Sequence, residues 1–152
     1  MERRPAVMRL CRTLLVLLLA GAAATRAADR EVVLVVSAQS AVTQLDPLEI
    51  QKLFLGFPVL RDNHALHPVR NLSDEQLSNV FLQHIVAMSE SAYDRRILTQ
   101  VLQQGRPRPL EIKSPAQVVA ALAADRFAVS YMWLSDVPAN PRMRVLRILW
   151  AE

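Results

Sequence analysis

The sequence predicts an α/β domain: a small mixed sheet flanked by helices. Three observations predict it. Glu31–Ser37 (EVVLVVS) holds five consecutive apolar residues, the pattern of a strand buried on both faces. Asp46-Pro47-Leu48-Glu49 and Ser114-Pro115-Ala116-Gln117 each place a capping residue before a proline, which is how helices start. Between these segments, strand-like and helix-like stretches alternate.

The elements follow in order. Glu31–Ser37 is the first strand, and residues 38–45 are a polar loop. Asp46 caps the first helix, with Pro47 at its first position and Glu49 at its third. Ile50, Leu53 and Phe54 form its apolar stripe, and Gly56 stops it. Residues 57–65 are loop, with a turn at Asp62-Asn63. Residues 66–71 are the second strand. Ser73 is expected to cap the next helix, with Gln76 closing a capping box. Leu77, Val80, Phe81, Ile85 and Met88 recur there at helical spacing. A further helix starts near Ser89 or Ser91, carries Ile97, Leu98, Val101 and Leu102, and ends at Gly105. Residues 106–109 (RPRP) are an extended connector. Residues 127–132 (FAVSYM) and 143–149 (MRVLRIL) are the last two strands, joined by a proline-containing loop.

The chain has 152 residues, the size of one domain, and its first part is expected to lie outside that domain. Residues 1–12 carry Arg3, Arg4, Arg9 and Arg12. The apolar run 13–24 and small residues through Ala27 and Ala28 follow. A basic segment, an apolar segment and a small-residue zone describe a secretory signal peptide, residues 1–27. The run is shorter than the roughly 20 residues that span a bilayer, so no stable membrane insertion is expected after cleavage. The expected mature domain is 28–152, in the periplasm. Cys11, the only cysteine, precedes the apolar run, so the mature domain has no disulfide and no thiol chemistry.

Removing the leader changes the charge. Of 18 basic and 14 acidic residues, five arginines and one glutamate fall within residues 1–27, which leaves 13 of each sign. A neutral domain gives no footing for nucleic-acid binding.

The candidate chemistry is sparse. No G-x-S-x-G elbow is present and no glycine separates Gly56 from Gly105, so a serine hydrolase is not supported and the chain reads as non-enzymatic. His64 and His67 stand three apart in loop and strand, where they are expected to point to alternate faces. His84 lies on an apolar stripe. Three scattered histidines do not make a metal site, and no cofactor is expected. Asp74 and Glu75 complement a helix dipole. Arg70 at a strand end is either a surface charge or an anion contact, because a guanidinium suits bidentate anion recognition. Arg106 and Arg108, alternating with prolines, form a stiff basic rim or a solvated loop. Trp133 packs on the core or lines its rim.

The order of local sequences resembles a family. DPLEIQKLFLG (Asp46–Gly56) is similar to that family's LSxxQLxxIFLG helix. PVR (Pro68–Arg70) is followed by the LxxxF helix at Leu77–Phe81. GRPRP (Gly105–Pro109) and the FAVSYM strand, in place of a GAIGYV-like strand, complete the pattern. These resemble the small secreted periplasmic-binding-protein-like domains related to the second lobe of phosphate ABC transporter substrate-binding proteins. The resemblance covers about residues 32–149. It implies a single lobe of a type II periplasmic-binding-protein-like fold, with an anion site where a strand end meets a helix start.

The sequence departs from the family there. Asp74, Glu75 and Gln76 stand where the family has a Ser-Gly-Thr-like turn, and Phe127 and Ser130 replace glycines of the later strand. The candidate ligand contacts are Ser40, Arg70, Asn71 and Ser73. Two functions follow as expectations. One is an accessory or protein-interaction module with a degenerate ligand site and an envelope protein as partner. The other is a solute-binding module for phosphate or another small oxyanion in an ABC-type uptake or sensing system.

Overall fold

The computed structural model describes residues 30–139 and 142–152. The expected signal peptide, residues 1–27, lies outside the described residues. The elements are β1 (Glu31–Ser37), α1 (Pro47–Phe54), β2 (Leu60–Arg61), β3 (His64–Ala65), β4 (His67–Asn71), α2 (Glu75–Val80), α3 (Glu90–Gln104), β5 (Leu110–Ile112), α4 (Pro115–Ala124), β6 (Ala128–Trp133) and β7 (Met143–Ala151). Five strands form one sheet in the order β5-β4-β6-β1-β7. β1 runs antiparallel to β6 and β7, whereas β4 runs parallel to β5 and β6, so the sheet is mixed as expected.

The apolar run of β1 explains the layering. Val32, Leu34 and Val36 face a core made with α1, α2, α3 and the β6 residues Val129 and Tyr131. Val33 and Val35 face the other way, onto α4 through Val118 and Leu122. All five are fully buried, each worth roughly 1.5–3 kcal/mol of transfer from water.

Local chemistry sets most boundaries. Asp46 Oδ1 accepts from the Glu49 amide and Glu49 Oε2 accepts from the Asp46 amide, the expected capping box. Gly56 follows α1 at φ +82, and a Cβ there would meet Gln100 Cγ at 3.2 Å. Ser89 caps α3, and Gly105 ends it in the left-handed region.

Three local expectations are corrected. Residues 57–65 contain the short hairpin β2–β3. Its turn residues Asp62 and Asn63 both have positive φ, the geometry that matches hairpin twist. Ser73 does not cap α2. Asn71 Oδ1 accepts from the Ser73 amide, a turn that carries the chain one residue further, and Asp74 accepts from the Leu77 amide instead. The helix after it is not continuous to Met88. It widens into a π turn over Phe81–Ile85, where the Val86 amide donates to the Phe81 carbonyl, and the wider turn buries Val86 in place of Met88. The three-residue strand β5, inside a segment too short and proline-rich to show a period, was not legible either.

Candidate functional site

Arg70, Asn71 and Ser73 meet at the C-terminal end of β4, where the chain turns into α2. Ser40 does not join them. Val36 pairs with Val129, which pairs with Pro68, so the C-terminal end of β1 lies beside the start of β4. Ser40, just beyond β1, therefore stands at the opposite end of the sheet. There it is buried, with its Oγ accepting from the Val42 amide and its carbonyl from Arg144.

The side chain of Arg70 alternates with Val69, which faces α4, and so points into the larger core. It is 3% exposed. Its guanidinium carbon lies 4.7 Å from the centre of the Tyr93 ring and 5.5 Å from that of Phe81. Three carboxylates approach it. Glu111, its partner in the parallel register of β4 and β5, accepts from Nη1 at 3.1 Å. Glu90 and Asp94, one turn apart on α3, come to 3.6 and 4.0 Å, inside ion-pair range but beyond hydrogen-bond reach. Each acid keeps half or more of its side chain in solvent. Arg70 Nε and Nη2 and Ser73 Oγ are buried without a hydrogen-bond partner among the described residues.

An aromatic cluster supports the arginine from below. Phe81 stacks on Tyr131 at 4.8 Å and meets Tyr93 and Phe54 edge-on at 5.3 and 5.5 Å. Tyr93 donates to the Phe54 carbonyl and Tyr131 to the Asn71 carbonyl. Burial pushes both phenols well above their usual range, only partly opposed by the charge of Arg70, so both remain neutral donors. Asn71 is fully buried, donating to the Tyr131 carbonyl. The strand end is thus tied to β6 by side chains of both strands.

Carboxylates gather around the α2 start. Asp74 accepts from the Trp133 indole at 3.3 Å as well as capping α2. Asp136 is held above the usual carboxylate range by burial and then by the charge of Asp74. Trp133 meets Trp150 edge-on, on the rim of the core.

The remaining candidates take local roles. His64 and His67 do not diverge, because both rings pack on Phe127. His64 stacks on Phe127 at 4.7 Å, and His67 meets the same ring edge-on at 6.5 Å. His84 is exposed, tilted over Trp150 at 6.0 Å. The residues that reading the sequence missed are Glu90, Asp94, Glu111 and Tyr93. The signal available was the four-residue spacing of Glu90 and Asp94 with Tyr93 between them on α3.

No family model matches the chain, and no curated protein matches it. Among solved structures, a similar one is an ABC-type phosphate transport receptor from Vibrio cholerae, with a TM-score of 0.49 and 11% identity over 78% of this chain. The chain spans 46% of that receptor chain. At that similarity neither the receptor's ligand nor its activity carries over. Among the described residues no helix is long and apolar enough to cross a membrane.

Proposed function

We propose that the chain is a secreted, non-enzymatic, single lobe of the periplasmic-binding-protein-like fold that serves as a protein-interaction accessory, its oxyanion site closed by its own carboxylates. The observation that carries this is the setting of Arg70. One buried guanidinium faces three carboxylates within 4.0 Å, so the cluster already holds more negative than positive charge. An arriving phosphate or sulfate would have to displace these acids or sit among them, and like charges at such distances repel by about 1 kcal/mol or more each.

Support for an interaction role comes from β7. Among the described residues this nine-residue strand bonds β1 on one side only, and Val145 and Ile148 are exposed on it. An open apolar edge is the template on which an extended segment of a partner adds as a strand. The expected partner is another envelope protein.

A second reading rests on the unpartnered Arg70 and Ser73 atoms. In that reading they hold a small oxyanion such as phosphate, for uptake or sensing. Thermal unfolding of the purified protein in phosphate, sulfate and molybdate separates the two. A binder at 100 times its dissociation constant gains about 2.7 kcal/mol. The accessory reading expects no shift with any of the three. For the edge itself, a photo-crosslinker at Ile148 should capture one discrete envelope protein that the same label at Gln103, on the far helix α3, does not. Recovery of only free monomer from both positions counts against it.

A further inference from the structure

The GRPRP segment gives Arg70 no hydrogen bond or ion pair among the described residues, although the charge of Arg108 is felt by Tyr93. Its prolines and arginines border an open groove of about 570 Å³, between the end of α1, strand β4 and α4. Pockets of roughly 300–1,000 Å³ suit small ligands. The groove floor is apolar, with Leu66, Val69 and Ala128 each no more than 4% exposed. Leu110 stands on the lip, 55% exposed.

The polar groups at the mouth are unequal. Asp125, the one acid on the lining among the described residues, is already engaged: its carboxylate accepts from the Phe127 amide at 2.9 Å and meets His67 Nδ1 at 2.6 Å. Arg106 reaches across to the Gly56 carbonyl at 3.0 Å, which ties the connector to the end of α1. Arg108 has no hydrogen-bond or ion-pair partner among the described residues. Pro107 and Pro109 fix the backbone on either side of it, so its position costs little further entropy to order.

An apolar floor edged by a guanidinium that makes no hydrogen bond or ion pair among the described residues is complementary to a molecule of the opposite polarity pattern. We infer that this groove binds a small amphipathic carboxylate, its apolar body above the floor of Leu66, Val69 and Ala128 and against the more accessible Pro58, Pro109 and Ala121, its acid group against Arg108. A single guanidinium fork matches a carboxylate through two parallel hydrogen bonds. The site shares no residue with the Arg70 cluster, so the inference stands or falls apart from the proposed function.

The test is a titration of dodecanoate, below its micelle concentration and at neutral pH, into methyl-labelled protein followed by NMR. The expected result is saturable shifts at the Leu66, Val69, Ala121 and Ala128 methyls. Dodecanol, of equal chain and no charge, should bind about tenfold more weakly. Arg108→Gln should remove that difference while leaving the spectrum of the free protein intact, because the side chain is exposed. Ala121→Trp, which fills the groove, should abolish both. No saturable shift at these methyls, equal affinity for acid and alcohol, or shifts untouched by Ala121→Trp would overturn the inference. So would a concentration-dependent dimer that Ala121→Trp dissolves and dodecanoate does not, since the groove would then belong to a second copy of the chain.

Discussion

The guanidinium of Arg70 lies 4.7 Å above the ring of Tyr93, and the two residues on either side of that tyrosine's turn, Glu90 and Asp94, are its ion-pair partners. Stacking and charge are therefore delivered by one helix face. A strand-end arginine that sequence resemblance assigns to a ligand is used here to join β4 to α3 and, through Glu111, to β5.

Arg70 should behave as a packing residue with a charge. Arg70→Lys keeps the charge but loses the planar stack over Tyr93 and Phe81, and should cost about 1–3 kcal/mol in chemical denaturation. Arg70→Met keeps the volume. Its cost should be no greater, because the three freed carboxylates are exposed enough to hydrate. A buried-charge account without stacking predicts the reverse order.

The helix cap distinguishes Ser73 from Asp74. Asp74→Ala removes the cap bond to Leu77 and should cost about 1 kcal/mol. Ser73→Ala removes a buried hydroxyl with no partner among the described residues and should be neutral or stabilising. Equal losses would return the cap to Ser73.

Ala87 has φ +54 without being glycine, on an exposed turn between the π segment and α3. Ala87→Gly relieves that strain and should raise stability by about 0.5–1 kcal/mol, read as a shift in the unfolding midpoint. A loss would mean that the entropy of the unfolded chain dominates at this position.

Two acids should respond to pH with opposite sign. Burial raises the Asp125 carboxyl, but the bonds from His67 and the Phe127 amide outweigh it and hold it below the usual range. It therefore stabilises above the ordinary carboxylate pKa, and the contribution fades as pH falls through its lowered value. Asp125→Asn should lose stability at neutral pH and match the wild type in strong acid. Asp136 is raised, so its ionised form opposes folding at neutral pH and that cost disappears below the ordinary carboxylate range. Asp136→Asn should gain slightly at neutral pH and gain nothing in acid. Both effects are small, since both side chains are substantially solvated.

Much of the architecture was legible because local signals agreed with it. The EVVLVVS run, the Asp46–Pro47–Glu49 start and Gly105 each act within a few residues and recur in the structure where expected. What was hidden depends on distance along the chain or on a one-residue shift. The Asn71 turn moves the cap from Ser73 to Asp74, and a π turn changes the period that the stripe Leu77–Met88 implies. The candidate site was legible only in part. Asn71 and Ser73 flank Arg70 in sequence, but Glu111 reaches it through the pairing of β4 with β5, and Ser40 is carried away by the antiparallel course of β1. No periodicity encodes those pairings.

In this reading the acids around Arg70 occupy its anion site. Phosphate titration of the triple variant Glu90→Gln, Asp94→Asn, Glu111→Gln beside the wild type, by thermal unfolding, tests it most directly. The wild type should not shift, and the variant should gain stability that rises with the logarithm of phosphate concentration, reaching about 2.7 kcal/mol at 100 times its dissociation constant. Phosphate stabilisation of the wild type equal to or greater than that of the variant would contradict it.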